Sequence, residues 1–160
     1  MLLLPALPVA GYVVYLHLYT GDWFAWQHAQ ALGWLRTFQD PKSAWDRTWQ
    51  AAFGATQAGD TAWVFQLELA AVVVGVALTV LLLARRRWPE AVYVGLSLLA
   101  LGTTTWFMSV PRAMLLWWPL WTLLGSWAAR WPFVRTLYVC CVAPVMAGVA
   151  VLFLSGQWAG

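Results

Sequence analysis

Apolar residues run along the chain in five long blocks, about 2–19, 61–84, 91–108, 113–129 and 136–154. Blocks of this length with so little charge read as membrane spans, each needing roughly 20 apolar residues. Between the first and second blocks lies the one long polar interval, Gly21 to Asp60. It holds Asp22, Arg36, Asp40, Lys42, Asp46, Arg47 and Asp60, seven of the fifteen formal charges (nine basic, six acidic), among five tryptophans. The pattern predicts an all-α fold: a polytopic transmembrane helix bundle of about five spans in a single membrane domain over 1–160, with a two-helix amphipathic outer loop at 21–60.

Two start signals divide that loop. Asp22 can cap a helix over Trp23–Phe38, its carboxylate accepting from the free N–H groups of the first turn. Asp40 followed by Pro41 repeats the signal for a second helix, Pro41–Phe53, because Pro suits the first helical position, and Gly54 and Gly59 end the region. At helical spacing Trp23, Gln27, Gln30 and Trp34 share one face of the first helix, and Phe24, Ala31, Leu35 and Phe38 the adjoining one. Such a helix lies in a membrane surface or tucks between spans. In the spans, Pro5, Pro8 and Gly11 distort the first, Gly95, Gly102 and Thr103 to Thr105 allow close helix approach in the third, and Pro119 predicts a kink in the fourth.

Composition agrees. Sixty-two per cent of residues are hydrophobic and 9% charged, against roughly 45–50% and about 25% in soluble domains. The net charge of +3 is spread over scattered basic residues, which excludes a nucleic-acid stripe. Arg85 to Arg87, Arg130 and Arg135 fall in two short loops on one side, so that side reads as cytoplasmic. The N-terminus is then inside and the 21–60 loop, net −1 from three basic residues and four Asp, outside, together with the turn at Arg112. The expected location is a bacterial plasma membrane. No charge precedes Asp22, so the opening reads as an uncleaved span rather than a signal peptide. Cys140 and Cys141 are adjacent in an apolar run and read as packing residues.

Metal-ligand spacing is absent, no Ser/His/Asp or Cys/His set assembles, and no phosphate-binding glycine loop occurs; no metal and no cofactor is expected. Glu68, two turns into the second span, is an ionisable residue where one is costly, and is a functional candidate on that ground. On the outer face the residue types left are tryptophans, the amides Gln27 and Gln30, His28, Asp22 and Asp46, and Arg112. Sugar rings lie on aromatic faces while their hydroxyls pair with amides and carboxylates, and Arg suits a lipid phosphate. The combination points to a lipid-linked sugar.

Thr20-Gly21-Asp22 followed by Ala25, Gln30, Trp34, Arg36 and Pro41, and then Ser109-x-Pro111-Arg112 followed by Pro119 and by Phe153, Gly156 and Trp158, resembles two segments of the PIG-V-like mannosyltransferases and their bacterial relatives. These are multi-span glycosyltransferases of the GT-C class. Ala113 stands where that family has Tyr, and Trp118 where it has Phe. The resemblance covers nearly the whole chain but only the family's C-terminal part, and the acidic loop that serves as catalytic carboxylate there precedes anything present. It implies sugar transfer, of mannose, from a polyprenyl-phosphate donor on the outer face, with no catalytic residue in this chain, which is inactive without its N-terminal half. Gln30, Trp34 and Arg36 would shape the acceptor or sugar site and Arg112 would face the donor phosphate; Asp22 and Gln27 complete the substrate-binding set, with Glu68 and Ser109 as further candidates.

Two other classes stand beside it. A non-catalytic membrane scaffold or subunit would use its tryptophans as interfacial anchors. A small transporter or channel fragment needs polar residues in mid-span, where Glu68 alone qualifies.

Overall fold

The protein, seen in a computed structural model, is described for Leu4 and residues 6–34, 37–54 and 59–156, with residues 34 and 59–61 described as backbone only. All regular structure among these is helical: α1 (Ala6–Thr20), α2 (Ala25–Trp34), α3 (Pro41–Phe53), α4 (Gly59–Ala84), α5 (Trp88–Gly102), α6 (Val110–Met114), α7 (Trp118–Arg130) and α8 (Pro132–Leu154). The chain forms two compact units, Met1–Gln39 and Asp40–Gly160.

In the first unit, α1 ends at a glycine that the geometry requires. Gly21 has φ +75°, the left-handed region that disfavours a Cβ, and its N–H donates to the His17 carbonyl at 2.8 Å, the single back-bond of a left-handed helix cap. The helix predicted over Trp23–Phe38 is shorter, Ala25–Trp34. Its start follows a turn in which Asp22 Oδ1 accepts the Phe24 N–H at 2.8 Å. Residues 35 and 36 lie outside the described residues, and Phe38 is not helical.

In the second unit, α3 covers Pro41–Phe53 as its start signal predicts. Asp40 is extended, accepts the Ser43 N–H at 2.9 Å through Oδ2 and the Ser43 hydroxyl at 2.6 Å through Oδ1, and Pro41 fills the first helical position. The long helix α4 is the axis of the unit, with α3, α5 and α6 packed against it. Small residues make the approach close: Ala44, Ala51, Ala52, Ala71 and Ala91 are buried. Where lipid tails surround the helices this tight contact, rather than water exclusion, drives association. Gly75 is the extreme case. A Cβ there would stand 2.6 Å from the Trp117 ring and 2.8 Å from Leu98 Cδ2, so the indole of Trp117, 1% exposed, lies directly on the α4 backbone.

Two helices, α4 over Ala62–Ala84 and α8 over Pro132–Leu154, are long and apolar enough to cross a membrane. A soluble core helix of this kind would be covered, yet only a third of the most apolar stretch of α4 is buried and none of α8 is. An apolar helix left uncovered by its own chain indicates membrane association.

The other blocks depart from the five-span expectation. The first appears as α1, 15 residues long, with residues 1–3 and 5 outside the described residues. The third block, 91–108, is helical only to Gly102. There Thr103 and Thr104 turn their hydroxyls back onto the Leu99 and Leu101 carbonyls at 3.0 Å each, competing with the helical ladder. The fourth block, 113–129, is broken into α6 and α7 rather than kinked. Pro119 has no N–H to donate to Leu115, four residues back, and the Leu115 carbonyl instead accepts the Trp121 indole N–H at 3.0 Å. Tyr93 of α5 donates to the next carbonyl, Leu116, at 3.0 Å, so the backbone freed by the break is satisfied.

Candidate functional site

The break between α5 and α6 is where the second unit concentrates its polar chemistry. Non-helical backbone at membrane depth is tolerated only where protein buries it or a cavity receives it. Residues 103–109 are non-helical, and two side chains from neighbouring helices hold them.

Thr48 of α3 is fully buried. Its hydroxyl donates to the Ala44 carbonyl at 2.7 Å and accepts the Phe107 N–H at 2.9 Å. The Phe107 ring then packs edge-on against Trp45, 6.1 Å between centroids. Thr48 was not a candidate by sequence reasoning. The available signal was its place one helical turn from Ala44 and Ala52, on the face of α3 that small residues mark for close packing.

Glu68 of α4 is also fully buried. Oε1 accepts the Ser109 N–H at 2.7 Å, and Oε2 accepts the Val110 N–H at 2.8 Å. The carboxylate therefore meets two successive backbone donors at the start of α6, charge-assisted bonds roughly twice as strong as neutral ones. Ser109 takes φ +68° and ψ +21°, a left-handed conformation uncommon outside glycine. In it the two N–H groups turn together toward Glu68. Such strain persists only where surrounding contacts over-determine it, and the carboxylate supplies them.

Through these two contacts Glu68 clamps the start of the Ser109-Val110-Pro111-Arg112 segment. Glu68 is also closed off from the surface, which leaves it poorly placed to accept a proton from a substrate hydroxyl. Arg112 is the third residue of α6 and its side chain is exposed. The clamp thus fixes the backbone from which Arg112 projects.

The remaining predicted site residues lie in the first unit. Asp22 is engaged locally: besides the Phe24 N–H, its Oδ2 is 2.6 Å from His28 Nδ1. Those contacts, the Phe24 N–H first and the His28 hydrogen bond second, hold its carboxyl below the ordinary value of 3.8. On α2, Gln27 is exposed and Gln30 half-buried. The Trp34 side chain and all of Arg36 lie outside the described residues, as does Trp158. His17 stacks on Trp23, 3.7 Å between centroids and 12° between planes, so the aromatic groups beside the Thr20-Gly21-Asp22 turn are partly occupied with each other. The structure brings Glu68, Ser109 and Arg112 together with Thr48; Asp22, Gln27 and Gln30 form a separate set on α2 and the turn before it. Among the described residues no cluster of three or more His, Cys, Asp or Glu could hold a metal ion.

No family model, curated protein or solved structure matches the chain.

Proposed function

We propose that this chain is the substrate-loop-bearing portion of an integral-membrane glycosyltransferase that moves mannose from a polyprenyl-phosphate donor. The observation that carries the reading is the clamp. A fully buried glutamate and a fully buried threonine are committed to holding one irregular segment, and that segment ends in the exposed Arg112. A membrane helix does not carry a buried carboxylate without a use for it, and here the use is to place a cation.

In this reading Arg112 pairs with the donor phosphate and stabilises the charge it gains as the glycosidic bond to phosphate breaks. The acceptor hydroxyl attacks the sugar, giving its proton to an acidic residue that lies outside these 160 residues. Glu68 positions Arg112 and touches neither substrate. Asp22, Gln27, Gln30, Trp34 and Arg36 bind acceptor or sugar. The finer topology belongs to the same proposal: five crossings of a bacterial plasma membrane, the N-terminus cytoplasmic and the 21–60 loop outside.

The test is sugar transfer from a polyprenyl-phosphate mannose donor, assayed for the chain alone and co-expressed with an N-terminal half carrying an acidic outer loop. Transfer that appears only in the pair and is lost in Arg112→Ala supports the reading; no transfer under any pairing removes it. Labelling of a Ser43→Cys variant from outside intact cells tests the topology, and labelling only after permeabilisation inverts it.

A second reading, a non-catalytic membrane subunit, is favoured by α8. None of its 23 residues is fully buried, which leaves much of its surface for another membrane chain, and exposed tryptophans such as Trp88, Trp118, Trp127 and Trp131 suit interfacial anchoring.

A further inference from the structure

Between α7 and α8 lies an open groove of about 270 Å³, lined by none of the clamp residues. On α7 it is lined by Trp121, Leu124, Gly125 and Ala128, which at this spacing form one helix face; on α8 the wall includes Arg135 and Tyr138. Trp121 and Tyr138 meet edge to face, 6.3 Å between centroids, at the end of the groove farther from the turn at Trp131. Gly125 forms an unobstructed part of the floor, since a Cβ added there meets nothing within 4 Å. The volume far exceeds the roughly 30 Å³ share of one water, and an apolar lining of this kind is poor at holding water.

The charged residue that lines the groove is Arg135. Glu90 is the last acidic residue in the sequence, and the charges after it are Arg112, Arg130 and Arg135. The Asp22–His28 and Arg87–Glu90 ion pairs use none of the residues that line the groove. Arg135 is exposed on the groove wall and Arg130, also exposed, ends α7 beside the same turn.

We propose that this groove binds an anionic glycerophospholipid, with one acyl chain along Leu124, Gly125 and Ala128 and the head-group phosphate on Arg135. The apolar floor suits a hydrocarbon chain. Arg135 supplies charge-assisted hydrogen bonds to phosphate oxygens, and Arg130 adds field of the same sign. A zwitterionic lipid would also bring its ammonium group toward Arg135 and Arg130, which repel it. The site rests on the membrane setting of α7 and α8 and not on sugar transfer.

The test is native mass spectrometry of the full chain in detergent, titrated separately with phosphatidylglycerol and phosphatidylcholine. The wild type is expected to retain phosphatidylglycerol at least roughly fivefold more tightly, the factor of one arginine at an anionic surface. Arg135→Gln should bring the two lipids level with helix content unchanged by circular dichroism. Gly125→Leu should weaken retention of both, because its side chain grows into the open floor. Equal retention of the two lipids by the wild type overturns the site, as does a preference that survives Arg135→Gln. Because the two variants sit on different helices, misfolding of one leaves the other decisive, and because transfer is not measured, loss of the glycosyltransferase reading leaves this result standing.

Discussion

Glu68 and Ser109 are 41 positions apart, yet a Glu68 carboxylate oxygen accepts the Ser109 N–H at 2.7 Å while its twin accepts the Val110 N–H at 2.8 Å. The pair joins the middle of the unit's longest helix to the start of its shortest, and makes a strained serine the fixed origin of the Arg112 segment.

Glu68→Gln keeps the shape but replaces one acceptor with an NH₂ group facing an N–H. One buried donor is then orphaned, at a cost of about 1–3 kcal/mol. Hydrogen exchange of a peptide covering residues 103–116 should speed up by about fivefold or more, since 1.4 kcal/mol is a factor of ten. Unchanged protection would show that the carboxylate does not hold this segment.

Thr48→Val removes the acceptor for the Phe107 N–H while nearly preserving volume, and Thr48→Ser restores it. The valine variant should lose about 1–3 kcal/mol in denaturant unfolding followed by tryptophan emission, and the serine variant should recover most of it. A loss in the serine variant with none in the valine variant would assign the effect to packing of the methyl group instead.

Gly75→Ala and Gly125→Ala form a matched pair on helices. At Gly75 the new methyl meets the buried Trp117 ring at 2.6 Å, and overpacking of this kind costs about 1–3 kcal/mol. At Gly125 it meets open space, and helix propensity favours Ala by up to about 1 kcal/mol. Thermal unfolding should therefore move down for the first and level or up for the second; a fall at Gly125 as large as at Gly75 would contradict the contact at Trp117.

Asp22 sets an acid limit on the turn between α1 and α2. Its folded carboxyl titrates below the ordinary 3.8, mainly because the Phe24 N–H and then His28 bond the charged form. The charged form is favoured by folding, so the contribution is fully present above 3.8 and is lost as pH falls through the lower folded value. A carbon NMR titration of the Asp22 carboxyl should place its midpoint below 3.8. A midpoint at or above that value, or one that does not rise when His28 is changed to Ala, would break the assignment.

The candidate site was legible by halves. Ser109 and Arg112 stood out as a short motif, and Glu68 as a charge inside an apolar run, but nothing in the sequence joined them. Neither a chain separation of 41 residues nor the left-handed φ of Ser109 leaves a periodic trace. Thr48 is half-legible for a similar reason: its place one turn from Ala44 and Ala52 marks a packing face, but not the backbone N–H it will meet. The turn at Thr20-Gly21-Asp22 drew attention as a binding motif, and the structure finds its glycine ending a helix and its aspartate bonding the next two turns.

Local chemistry alone determined a good deal of this protein. Asp40 and Pro41 start α3 and Gly54 follows its end, because capping and a fixed proline φ act within a few residues; the long, nearly charge-free apolar runs of α4 and α8 make them membrane-length helices by composition. Tertiary structure decided where the other apolar blocks stop being helix. Thr103, Thr104 and Pro119 weaken the ladder, but those breaks persist because Tyr93, Thr48 and Glu68 arrive from elsewhere in the fold, beside the local Trp121, to satisfy the exposed backbone. Hydrophobic pattern states that a segment avoids water, whereas only the packed neighbours determine which of its N–H and C=O groups find a partner outside the helix.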